Sequence, residues 1–183
     1  KLASDRVDTD RVGVILGTSG ASIRDPHENI VTGAEKFKII REMTNASSAW
    51  ISLEYGINGP SYNVSAAGNS GTEAIVQACD LIRSGVIDIA IAGGSDISTT
   101  EDCISFGLHQ SIISKKFNTT RQIIPFSPDC DGTILSDGGA VLILQSPESV
   151  GKHGSDVFAW IKGHSRSYSY KIEKFNDNPH NNF

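Results

Sequence analysis

The sequence predicts an α/β domain organised around a strand, helix, strand unit, and three stretches carry that expectation. Residues 62–67 (YNVSAA) read as a strand, residues 72–84 as a helix with Ile75, Val76, Cys79 and Ile82 along one face, and residues 86–92 (VIDIAIA) as a central buried strand, apolar except for Asp88. A tight hairpin has no room for the intervening helix, so the two strands are expected to form a parallel pair.

The remaining elements follow from local signals. Residues 11–16 (RVGVIL) are a short apolar run, rich in β-branched residues, that ends in Gly17-Thr18-Ser19-Gly20, the pattern of a buried strand entering a loop. The abrupt polar opening before it leads to the expectation that an upstream part of the fold precedes this strand. Residues 44–55 place Ala46, Ala49, Trp50 and Leu53 at helical spacing, with Gly56 as the C-terminal stop and Asn58-Gly59-Pro60 as a turn. Ser70 and Glu73 stand three apart at the start of the next helix, the spacing of a capping box in which each side chain satisfies a backbone donor. Gly85 closes that helix, and Gly93-Gly94 is read as the end of the following strand. Residues 98–120 are less regular, with 115–120 as a solvated loop. A turn-rich block at 125–139 (PFSPDCDGTILSDGG) leads to a strand at 140–145, a helical turn started by Pro147, a break at 152–154 and a strand at 157–162. The domain is therefore drawn over residues 1–163, with 164–183 as a polar tail or a truncated continuation.

Composition narrows the function classes. A chain of 183 residues buries a real core without disulfide or metal staples. A formal net charge of −5 with no basic patch argues against nucleic acid, which demands clustered Lys and Arg. Cys79, Cys103 and Cys130 are far apart and lack any metal-ligand spacing, which fits a reduced cytoplasmic compartment and no metal. Apolar runs such as 140–144 are too short to span a bilayer, so no membrane partner is expected.

Chemistry is expected at residues 62–73, YNVSAAGNSGTE. A strand that turns sharply into a helix holds a nucleophile out of the sheet, with the partial positive charge of the helix N-terminus beside the developing anion. Small residues at the tip let backbone N–H groups approach an oxyanion. Here the tip is Gly68, which has no side chain. Ser70 is the nearby hydroxyl, but GNSGT is not the Gly-x-Ser-x-Gly elbow, and a structural cap role accounts for Ser70 and Glu73 together. A hydrolase built on Ser70 is the competing reading. His27, His109, His153, His164 and His180 lie in loops or polar contexts without ligand spacing and read as surface histidines. Asp129, Asp131 and Asp137 lack the calcium-loop spacing and read as turn residues bonding to their own backbone.

Four blocks in order resemble the β-ketoacyl synthase family, the condensing enzymes of fatty-acid and polyketide synthesis. They are DRVGVILGTSG (10–20), YGINGPSYNVSAAGNSGTEAI (55–75), DIAIAGGSD (88–96) and PFSPDCDGTILSDGGAVLIL (125–144), and GSDVFAWIKG (154–163) resembles the family's next strand. The resemblance implies a thiolase-like (αβαβα layered) fold, present in part, mainly as its nucleophile-bearing N-terminal half. It places the family's catalytic cysteine on Gly68, so no catalytic residue is intact. Ala67, Asn69, Ser70, Gly71 and Glu73 are then structural residues around the elbow. Tyr62, Asn63, Val64, Ser65 and Ala66 would form the strand that pairs across a two-fold axis. Ser136-Asp137-Gly138 stands for the family's Gly-Glu-Gly, Ile124 for an Arg, and Ser127 for an Asp. The resemblance thus implies a silent subunit of the chain-length-factor type, with an active ketosynthase subunit and an acyl-chain-bearing acyl carrier protein as partners and no cofactor. The alternative is an active condensing enzyme, seen as a fragment, with its cysteine replaced at Gly68.

Overall fold

The computed structural model describes residues 7–19, 40, 43–98, 101–110, 112–114, 126–128 and 130–167. Sequence features at Gly20, His27, 115–120, Ile124, Pro125, Asp129 and 168–183, His180 included, lie outside the described residues.

A short 3-10 turn at Thr9–Arg11, capped by the Asp8 carboxylate, leads into β1 (Val12–Gly17). Every residue of β1 is buried, as its uninterrupted apolar run requires of a strand covered on both faces. Its side chains alternate between two clusters. Val12, Val14 and Leu16 pack with Ile57, while Ile15 packs with Ala74, Ala78, Ile87, Ala90 and Ala92. β2 (Ser61–Val64) and β3 (Ile89–Asp96) both run parallel to β1, and β4 (Gly138–Gln145) runs antiparallel to β3, giving the order β2-β1-β3-β4. The helix α1 (Ala46–Tyr55) contributes Ile51 to the first cluster, and α2 (Ser70–Arg83) contributes Ala74 and Ala78 to the second, so β1 is covered on both faces. This is the partial thiolase-like α/β architecture expected for the nucleophile-bearing half.

Several elements differ from their sequence expectations, each for a physical reason. The strands flanking α2 are parallel, as expected, but they are not neighbours, because β1 lies between them. β2 stops at Val64 rather than Ala67, because the chain turns there and Ala67 takes a left-handed φ of 50°. β3 starts at Ile89 rather than at residue 86, and it continues through Gly93-Gly94 instead of ending there. A Cβ on Gly93 would strike the Ala140 carbonyl of β4, so this glycine admits a neighbouring strand rather than making a turn. In α1 the two large residues of the expected apolar face point outward, Trp50 and Leu53 being 54% and 73% exposed, while Ala46 and Ala49 are half-buried and the small Ser48 is buried and bonds to the Asn45 carbonyl. A small residue on the buried face lets the helix approach the sheet closely.

The region with no expected element holds α3 (Glu101–His109). Pro147 does open a helix, α4 (Pro147–His153), whose first turn is capped by the Ser146 hydroxyl accepting from the Ser149 N–H at 3.1 Å and whose end is Gly154 at φ 63°. No strand forms at 157–162: residues 155–167 carry neither helix nor ladder, and Phe158 is fully exposed. A strand exists only through a paired neighbour, and none of the described strands pairs with this segment. The apolar β4 residues Val141, Leu142 and Ile143 are likewise exposed. Among the described residues no helix is long and apolar enough to cross a membrane.

The one polar residue in the 86–92 run, Asp88, is held from the turn before β1. Arg11 donates from Nε and Nη2 to the two Asp88 carboxylate oxygens at 2.6 and 2.7 Å, and also from Nη2 to the Gly85 carbonyl at 3.0 Å. The paired guanidinium, acting first through its hydrogen bonds, holds the Asp88 carboxyl below the usual carboxylate range.

Candidate functional site

The elbow lies where β2 hands over to α2, at the C-terminal edge of the three parallel strands. The turn is built from backbone bonds: the Asn69 N–H donates to Ala66 O at 3.1 Å and the Ser70 N–H to Ala67 O at 3.1 Å. An isolated bridge joins Ala66 to Gly68. Residues 65–69 are exposed, and Ser70 directly behind them is buried. The Ser70 hydroxyl accepts from the Ala66 N–H at 2.9 Å and donates to the Ala67 carbonyl at 2.7 Å. It therefore stitches the left-handed Ala67 into place, and both its donor and an acceptor lone pair are committed.

The capping box expected from Ser70 and Glu73 does not form. The N-cap position is Asn69, whose carbonyl, not its side chain, accepts from the Glu73 N–H at 2.9 Å. The Glu73 carboxylate is drawn along the helix instead. It accepts from Gln77 Nε2 at 3.0 Å and from Arg166 Nε at 3.1 Å, and these two bonds, Gln77 first, hold its carboxyl below the usual range.

Three glycines let the start of α2 press onto the sheet. A Cβ on Gly17 would collide with the Ser70 and Gly71 backbone, and a Cβ on Gly94 would lie 3.0 Å from the Gly71 Cα. Gly68 is the opposite case. A Cβ built there meets no atom of the described residues within 4 Å, and its φ lies outside the left-handed region. The backbone at the tip thus accommodates a side chain, and the space beside it is open.

The adjoining loop after β1 is tied to the end of β3. Thr18 Oγ1 donates to Asp96 Oδ1 at 2.8 Å, the Ser19 N–H donates to the same carboxylate at 3.0 Å, and the Thr18 N–H donates to the Val64 carbonyl at 3.0 Å. β1, β2 and β3 are therefore locked together at the edge that carries the elbow, on which ligands gather in open α/β sheets.

Of the residues expected on a pairing strand, Tyr62 and Val64 point into the cluster beneath α2, and burial pushes the Tyr62 phenol up. Asn63 turns to the other face, where its Nδ2 donates to Ser47 Oγ at 2.7 Å. Its buried Oδ1 has no partner among the described residues. Ser65 and Ala66 lie beyond the strand, in the turn. Among the described strands β2 lies at the edge of the sheet, with β1 on one side only.

Two groups at this site were not anticipated. His164, read from sequence as a surface histidine, is instead docked on α2 with its Nε2 2.9 Å from Asp80 Oδ1, and Arg166 Nη1 donates to Asp80 Oδ2 at 3.1 Å. Burial pushes the Asp80 carboxyl up, but Arg166 and His164 together outweigh it and hold it down. Nothing short of the fold could have signalled these pairs, since the partners lie more than eighty residues apart in sequence. Asp131 and Asp137 also bridge distant segments: Asp131 accepts from Ser114 Oγ at 2.5 Å and Asp137 from the Ser98 N–H at 2.9 Å. Cys79 is buried in α2, and that burial pushes its thiol up. Among the described residues no group of His, Cys, Asp and Glu is gathered to hold a metal ion.

Comparison with known proteins assigns this arrangement. The family described as beta-ketoacyl synthase, N-terminal domain, matches residues 1–149. A mitochondrial 3-oxoacyl-[acyl-carrier-protein] synthase of Arabidopsis thaliana is 28% identical over 175 residues, covering 91% of this chain and 38% of that protein. Nodulation protein E of Rhizobium leguminosarum bv. trifolii is 30% identical over 169 residues, covering 88% of this chain and 41% of its own length. The chain thus spans about two fifths of the length of these curated relatives. Among solved structures, a type II PKS acyl-carrier protein in complex with its ketosynthase bound to the hexaketide matches with a TM-score of 0.70 at 21% identity, over 85% of this chain and 41% of that one. A beta-ketoacyl synthase from Burkholderia phymatum matches with a TM-score of 0.68 at 21% identity, over 84% of this chain and 40% of that one.

Proposed function

The chain belongs to the β-ketoacyl synthase family through its N-terminal domain, and on that premise we propose that it is a catalytically silent ketosynthase-like subunit of the chain-length-factor type. It pairs with an active, cysteine-bearing ketosynthase and shapes the acyl tunnel while that partner elongates a chain held on acyl carrier protein, in polyketide or fatty-acid synthesis in the cytoplasm. The observation that carries this reading is Gly68. The elbow keeps its strand, a turn stitched by the Ser70 hydroxyl and its helix N-terminus, but no side chain is present at its tip to form a thioester. The open space beside Gly68 suits a wall along which an acyl chain passes. The edge that β2 presents among the described strands suits pairing with a partner's sheet.

The test is co-expression with a cysteine-bearing ketosynthase. A stable complex in which chain length changes on substituting Gly68 by a bulky residue supports the reading. A chain that stays monomeric and in which Gly68→Cys restores self-acylation from an acyl carrier protein overturns it.

One observation favours a second reading, an active synthase whose cysteine has been replaced. The tip backbone accepts a side chain without strain or collision, as a position built for cysteine would. The codon at position 68 in the encoding DNA, together with the mass of the purified protein, separates the two. A Ser70 hydrolase is not supported, because the Ser70 hydroxyl is buried and bonded to the turn on both sides.

A further inference from the structure

We infer that residues 155–167 form an ionic strap across α2 that holds the elbow in its turned conformation. The strap is anchored at one end by the left-handed Gly154 that closes α4. At the other end, Arg166 reaches two carboxylates on one face of α2, bonding Glu73 at 3.1 Å and Asp80 at 3.1 Å. Glu73 and Asp80 are two helical turns apart, and Gln77 between them bonds to Glu73 at 3.0 Å, so one guanidinium and one amide bridge a continuous polar row. His164 adds a contact to Asp80 at 2.9 Å and is itself mostly shielded from solvent, its side chain being 19% exposed.

The strap meets the helix where it bears on the turn. Glu73 lies in the first turn of α2, and its N–H is bonded to the carbonyl of Asn69 within the elbow. One residue further on, Ser70 Oγ holds the Ala66 N–H and the Ala67 carbonyl, which fixes the left-handed Ala67. An alanine in that conformation is maintained only by surrounding bonds. Fixing the first turn of α2 from outside therefore fixes the elbow, and releasing the strap frees it. Among the described residues no helix or strand ladder holds 155–167. The strap's hold depends on ion pairs that are partly open to water, which makes it a releasable contact rather than a core one.

Amide hydrogen exchange on the whole chain tests this, comparing the protein with its Arg166→Ala variant and reading peptides from the elbow (66–71) and β3. The expected result is exchange several-fold faster in the elbow, whose Ala66, Asn69 and Ser70 amides are bonded, with β3 unchanged and the Arg166→Lys variant intermediate. Raising ionic strength in the unaltered protein should move the elbow in the same direction. Elbow exchange that is unchanged by Arg166→Ala overturns the inference. An equal rise in β3 also overturns it, because the effect is then a loss of global stability rather than release of a strap.

Discussion

At the scale of single residues, the glycines of this chain divide into those that cannot change and one that can. Gly17 is pressed against the Ser70 and Gly71 backbone, so Gly17→Ala must push α2 off the sheet. We expect a loss of about 2–3 kcal/mol or more, read from urea unfolding, with the elbow displaced. Gly68 has empty space where a Cβ would stand among the described residues, so Gly68→Cys should leave the unfolding free energy within about 0.5 kcal/mol of the parent while adding one exposed thiol, measurable by thiol titration. That thiol sits at a helix N-terminus and should react faster than buried Cys79, whose thiol is pushed up by burial. The two substitutions distinguish a position that is glycine for packing from one that is glycine in place of a functional side chain. Ser70→Ala is the third residue-scale test. It strips a bonded hydroxyl from the Ala66 N–H and the Ala67 carbonyl and is expected to cost about 1–3 kcal/mol, where loss of a surface hydroxyl would cost little.

At the scale of elements, the strands are joined by charge as well as by ladder bonds. Arg11 at the foot of β1 grips Asp88 before β3, and Arg166 grips Glu73 and Asp80 on α2. Asp88, Glu73 and Asp80 all have carboxyls held below their ordinary values in the folded chain. The unfolded chain therefore binds more protons in acid. The stability these pairs supply is complete above the unfolded carboxylate range, about pH 4–4.5, and is lost as pH falls through the lower folded values. Arg11→Ala should accordingly lower the melting temperature at pH 7, and the gap to the parent should narrow as the pH is brought below about 4. A gap that is constant with pH would mean that Arg11 acts by packing alone.

The same elements show what sequence could and could not reveal. β1, α2 and the parallel direction of β2 and β3 were legible because apolar periodicity and the intervening helix are local signals. The insertion of β1 between β2 and β3 was not, because strand order is a property of the assembled sheet. Gly93-Gly94 was misread as a stop because a glycine at a turn and a glycine under a neighbouring carbonyl are identical in sequence. At the elbow, its place was legible in the small residues of 65–71. The bonds of Ser70 and the arrival of Arg166 were not, the first because a hydroxyl can cap forward or stitch backward, the second because its partners are remote.

At the scale of the whole molecule, apolar surface is distributed unevenly. The β1 faces are sealed by α1 and α2, yet Val141, Leu142 and Ile143 on the outer strand and Val157, Phe158, Trp160 and Ile161 beyond it stand in solvent, as do Trp50 and Leu53 on α1. A sheet with exposed apolar side chains and an edge strand at either end is prone to pair with other chains. The 183-residue chain alone should therefore bind the dye ANS at neutral pH and elute in light scattering as a concentration-dependent mixture of oligomers. If the proposed pairing with an active ketosynthase is correct, co-expression with that partner should suppress both signals and give one species of defined mass. The two halves of the expectation are separable. A lone chain that is monodisperse and dye-silent would show that the exposed side chains do not seek cover. A self-associating chain that no ketosynthase rescues would leave the surface sticky but remove the partner, because an edge filled by its proper neighbour has no further reason to aggregate.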